Sequence, residues 1–72
     1  MSPDKMTHMA NQIAAFFKTQ PHVDAAAEIA AHINDFWEPR MRAQLFDHVR
    51  AGGAGLDPFV IEAVEKDLVA PA

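Results

Sequence analysis

The sequence predicts an all-α fold, a small compact bundle of about four short helices. Apolar residues recur at three- and four-residue steps along most of the chain, and proline and glycine divide it into four such segments. Nowhere does the apolar–polar alternation of a strand persist. The 72 residues are expected to form one domain, residues 1–72, with 1–2 and 70–72 frayed.

The first segment opens SPDKM, where Ser2 can cap, Pro3 suits the first helical position and Asp4 lies at the positive end of the dipole. Met6, Met9, Ala10, Ile13, Phe16 and Phe17 then share one stripe, and Gln20-Pro21 ends the helix. A second helix is expected over roughly residues 22–37. Ala26, Ile29, Ile33, Phe36 and Trp37 lie on its core face, with Asp24, Glu28, Asn34 and Asp35 opposite. Its alanines favour helix strongly, and for Ala25, Ala27 and Ala31, outside the main stripe, helix propensity is a readier account than close approach of another helix. The third segment begins at Pro39 and runs to about Arg50, before Gly52-Gly53 can supply a left-handed closing residue. The fourth opens with Asp57-Pro58 and carries Val60, Ile61, Val64 and Leu68 on one side. Short connections make sequential helices neighbours.

Six Lys and Arg against ten Asp and Glu leave a formal charge of −4. Such a field repels phosphate backbones, so nucleic acid is not the expected partner. A chain this short barely offsets its conformational entropy by core burial and needs a staple, a partner or idealised packing. With no cysteine, disulfides, thiolate metal sites and cysteine nucleophiles are excluded together. The N-terminal residues lack a signal pattern and no apolar run approaches the ~20 residues of a membrane span, which predicts a soluble cytoplasmic protein.

Residues 35–42 read DFWEPRMR, placing two arginines in the first turn of a helix that starts at Pro39. Positive charge there opposes the dipole at about 0.3–1 kcal/mol each, so something must offset it. Asp35, Glu38 and Asp47 are within local reach of Arg40. Arg42 lies four residues before Phe46, which puts guanidinium and ring on one flank of the Met41-Leu45-Val49 stripe. Phe46 is about 100° off that stripe, and Phe59 is similarly displaced from the Val60-Val64-Leu68 line. Arg, Trp and Phe are enriched at protein interfaces. Trp37, Arg40, Arg42, Phe46 and Phe59 therefore form the candidate partner-binding set, with core packing the competing reading for Trp37.

Other chemistry is sparse. His8, His22, His32 and His48 offer no i, i+3 or i, i+4 pair for a metal, so no metal, cofactor or catalytic residue is predicted. AGGAG lacks the strand and lysine of a phosphate loop and reads as helix termination.

Three strings carry a resemblance: MANQIAAFF, AAEIAAHINDFWEPRMRAQL and HVRAGGAGLDP. Over roughly Met9 to Ala63 the chain resembles the delta subunit of bacterial NAD-dependent, molybdenum-containing formate dehydrogenases. Phe59 departs from the pattern, standing where an aliphatic residue is expected. The resemblance implies a noncatalytic accessory polypeptide of a large cytoplasmic complex that oxidises formate to carbon dioxide and passes the electrons to NAD. In that family the alpha subunit holds the bis-molybdopterin guanine dinucleotide centre and iron–sulfur clusters, and the beta subunit handles flavin and NAD. The implied partner is the alpha subunit, stabilised or helped to mature. The residues alone leave open a self-associating helical regulator or adaptor whose DFWEPRMR patch meets another copy.

Overall fold

The computed structural model describes residues 2–21, 23–66 and 68. They form α1 (Pro3–Lys18), α2 (Ala25–Phe36), α3 (Pro39–Arg50) and α4 (Pro58–Lys66), with no strand among them. The body is all-α, with a radius of gyration of 11.0 Å. The fraying expected at residues 1 and 70–72 lies outside the described residues, as does His22 at the expected start of α2.

Each helix starts where a local group satisfies its free amides. Ser2 is extended and its hydroxyl accepts from Lys5 N at 3.3 Å. Asp24 Oδ1 accepts from Ala27 N at 3.2 Å, so α2 begins at Ala25. Pro39 and Pro58 occupy first helical positions, as their fixed φ favours.

α2 packs most extensively on α4 and next on α1. The core holds Met6, Ala10 and Ala14 from α1, Ala26, Ile29, Ala30 and Ile33 from α2, and Leu45 from α3. Val60, Ala63 and Val64 of α4 complete it with Trp37, Leu56 and Leu68 from the connections and the C-terminal side. Five of these are alanines, and a seam of that kind leaves little volume for rings. Two expectations are corrected on this point. Phe36 is 73% exposed and Phe16 60% exposed, although both were placed on core stripes. Phe36 is the last residue of α2, about 60° around from Ile33, and Trp37 fills the core at that end. Phe16 lies about 120° around from Ala10, outside the buried line of α1. Ala26 is buried as its core-face position predicts, and Ala30 is buried beside it.

The α3–α4 connection is fixed from α1. Asn11 Nδ2 donates to Gly55 O at 2.9 Å, and Asn11 Oδ1 accepts from Asp57 N at 2.8 Å. Gly53 has φ +66°, which strains any residue with a Cβ, and a Cβ there would stand 3.0 Å from Ile61 Cδ1, so the Ile61 side chain would have to give. Asp57 Oδ1 caps Phe59 N at 2.9 Å, while Oδ2 accepts from Lys18 Nζ at 2.6 Å. Burial pushes the Asp57 carboxyl up, but the Lys18 hydrogen bond, the Phe59 N–H and the Lys18 charge together outweigh it and hold the pKa below its ordinary value.

Two outcomes follow from this packing. Ile33→Ala removes a fully buried side chain and is expected to cost about 2–5 kcal/mol, most of the stability of so small a domain, read as a large drop in thermal midpoint by circular dichroism. A midpoint within a degree or two of the parent would contradict the assigned core face. The second concerns pH. A depressed carboxyl contributes stability above its unfolded pKa and loses it as pH falls through the folded pKa. Asp57→Asn keeps a capping side chain without the charge, so it should melt below the parent at pH 7 and match it under acid conditions where Asp57 is protonated. Because Lys18 is 42% exposed, the difference at pH 7 is expected to stay near ~1 kcal/mol. An equal gap at both pH values would show that the carboxylate charge is not the cause.

Candidate functional site

The residues singled out in the sequence occupy two separate places. Trp37 lies in the core, 7% exposed, at the α2–α3 junction, where its backbone N–H donates to Ile33 O at 2.9 Å. Phe46 is half-buried against the core, and Arg40 is exposed. Arg42 is half-buried, and its Nη1 donates to Asn34 O at 3.3 Å in the last turn of α2. Phe59, 41% exposed, lines a groove with Phe17, Val23, Lys18 and Asp24, at the opposite end of α2 from Arg42. Ala25, beside that groove, and Asn34 are nine residues apart on α2, about 14 Å of helix.

The position of Arg42 resolves the conflict between its charge and the start of α3. α2 has no basic residue in its last turn, and its C-terminal carbonyls carry the negative end of that helix dipole. The guanidinium on Asn34 O supplies positive charge to α2 while it opposes α3. The local carboxylates do not do this. Asp47 pairs with Arg50, and among the described residues neither Arg40 nor Arg42 forms an ion pair. The ring of Phe46 makes no stacking contact with Arg42 there either. Arg42 Nε is buried without a hydrogen-bond partner among the described residues.

A second surface went unread in the sequence. Phe16 and Phe17 meet edge to face with centroids 5.1 Å apart, Phe17 meets His32 at 6.3 Å, and His32 meets Phe36 at 4.8 Å. Phe17 continues into the groove with Val23 and Phe59, an open depression of about 530 Å³. Phe16, Val23, Phe36 and Phe59 are the large apolar side chains most exposed among the described residues, and all four adjoin this arc. The signal available in the sequence was the i, i+4 alanine pairs, Ala10/Ala14 and Ala26/Ala30, which set the buried lines and leave Phe16 and Phe36 beside them.

The chain offers no thiolate to an iron–sulfur cluster. It has no cysteine, and among the described residues no group of three or more His, Asp or Glu could hold a metal ion. No helix of the described residues is long and apolar enough to cross a membrane. The surface carries exposed rings, exposed carboxylates and, at the α2–α3 junction, the exposed Arg40.

No curated protein matches the chain. A family model, NADH-dependent formate dehydrogenase delta subunit FdsD, matches residues 5–64. That span runs from the first turn of α1 into the last turn of α4, and it takes in the Asn11 clamp, the Arg42 junction and the aromatic arc. With most of its length matched, the chain belongs to the FdsD family of formate dehydrogenase delta subunits.

Proposed function

We propose that the chain is a noncatalytic accessory subunit that binds the molybdenum-containing alpha subunit of a cytoplasmic, NAD-dependent formate dehydrogenase and stabilises it or assists its maturation. The observation that carries this reading is the family match over residues 5–64. It is supported by the chemistry of the chain, which has contact surfaces but no thiolate for an iron–sulfur cluster. The molybdenum pterin and iron–sulfur groups then belong to the partner, and this chain's share is binding free energy. A subunit that binds only the folded alpha subunit stabilises it by mass action, about 2.7 kcal/mol at a free concentration of 100 Kd.

The direct test expresses the tagged chain together with the large formate dehydrogenase subunits. The alpha subunit should be captured with it, and omission of the chain should lower the recovered formate-dependent NAD reduction. Full activity without the chain, and no alpha subunit on the tag, would overturn the reading.

The two arginines divide by burial. Arg40 is open to a partner, whereas Arg42 already serves α2. Arg40→Gln is expected to leave the melting curve within ~0.5 kcal/mol of the parent and to weaken capture a few-fold. Arg42→Gln should lower stability by about 1–3 kcal/mol, since the Asn34 carbonyl loses a charged donor. Melting of the isolated variants beside the capture assay separates the roles. An Arg42→Gln protein that melts like the parent yet captures nothing would assign Arg42 to the interface instead.

A further inference from the structure

The exposed aromatic arc and the acidic edge beside it define what kind of surface could cover them. Phe16 and Phe17 of α1 and His32 and Phe36 of α2 form a linked row of rings across two helices. The outer two are 60% and 73% exposed, so most of this apolar area faces outward. Alongside runs a line of carboxylates on α2. Glu28 and Asp35 fall within about 20° of one another around the helix, and Asp24 stands at its N-cap. Glu28 stands one turn before His32, and Asp35 one turn after it, three residues on. Glu28 and Asp35 are exposed, and neither forms an ion pair among the described residues. The one lysine at the groove, Lys18, is already held by Asp57 at 2.6 Å.

This composition specifies an occupant. Rings at the centre supply contact area with few rotamers to freeze, the side-chain pattern of energetic anchors at interfaces. A neutral apolar partner would leave the carboxylate edge unused and partly desolvated at cost, and an acidic partner would be repelled. A second copy of this chain would bring its own acidic edge and a net charge of −4. We propose that the arc formed by Phe16, Phe17, His32 and Phe36, bordered by Glu28 and Asp35, docks a basic amphipathic segment of the large formate dehydrogenase subunits. The apolar side of that segment covers the rings, and its Lys or Arg side chains pair with Glu28 and Asp35. This assignment rests on the accessory-subunit reading above.

Two double variants and a salt series test it, each in the tagged full chain co-expressed with the large subunits. Phe16→Ser/Phe36→Ser changes only exposed rings, so the isolated protein should keep its helical spectrum and melting behaviour while capture of the large subunits falls at least about tenfold. Glu28→Lys/Asp35→Lys should also fold and should lose capture, and the parent complex should weaken as salt is raised. Capture at the parent level by the aromatic variant would overturn the docking face and leave the accessory-subunit reading standing. Loss with the aromatic variant but parent-level capture by the lysine variant would overturn the basic character of the occupant. A parent chain that captures nothing would overturn both readings. An isolated chain that sediments as a dimer, and as a monomer once the rings are removed, would assign the face to a second copy.

Discussion

The structure depends on how little room lies between its helices. Ala10, Ala14, Ala26, Ala30 and Ala63 are buried almost completely, and with Ile29, Ile33 and Val60 they fill the space where α1, α2 and α4 meet. Such a core packs densely but buries little area per residue. A chain of 72 residues therefore has little stability in reserve, and every buried isoleucine counts. The same constraint decides where the rings go. A phenylalanine set into an alanine seam would force the helices apart at a cost of a few kcal/mol, so Phe16 and Phe36 sit beside the seam, facing out.

Two polar devices hold the ends of this small core in register. At one end Asn11 accepts and donates across the α3–α4 connection, and Asp57 serves as helix cap and as ion-pair partner to Lys18. These contacts couple the middle and end of α1 to the start of α4. At the other end Trp37 closes the core, and Arg42 spans from α3 to the last turn of α2. The antagonism between an arginine and the positive end of its own helix is relieved by the negative end of the preceding one. Trp37 and Arg42 of the DFWEPRMR stretch are thereby committed to the fold before any partner arrives, while Asp35, Phe36 and Arg40 stay exposed.

Much of the fold was legible because its signals are local. Pro3, Pro39 and Pro58 mark three helix starts, and the Met6–Ala10 and Ile29–Ile33 spacings mark faces that are in fact buried; α2 starts at Ala25 and not near residue 22, because Asp24, expected on its polar face, is its cap. The surface was less legible because hydrophobicity alone does not say which side of a narrow core a ring occupies. Phe36 follows Ile33 at a plausible core spacing, and its exclusion depends on Trp37 taking the space and on the alanines of neighbouring helices. Arg42 was ambiguous for a related reason. Its carbonyl partner, Asn34 O, belongs to the backbone of another helix, and backbone acceptors leave no mark in a residue pattern. Phe59 was picked out by its displaced wheel position, but its neighbours Phe17 and Val23 are distant in sequence, so the groove they share could not be foreseen.

The central claim is that this packing turns the aromatic side of α1 and α2 into the surface by which the subunit meets its enzyme. Amide hydrogen exchange on the chain alone and in complex with the large formate dehydrogenase subunits reads that most directly. Added protection is expected at the C-terminal turns of α1 and along α2, around Phe16, Phe17, His32 and Phe36, with the C-terminal half of α3 unchanged. Protection confined to α3, with α1 and α2 exchanging as they do in the free chain, would contradict it.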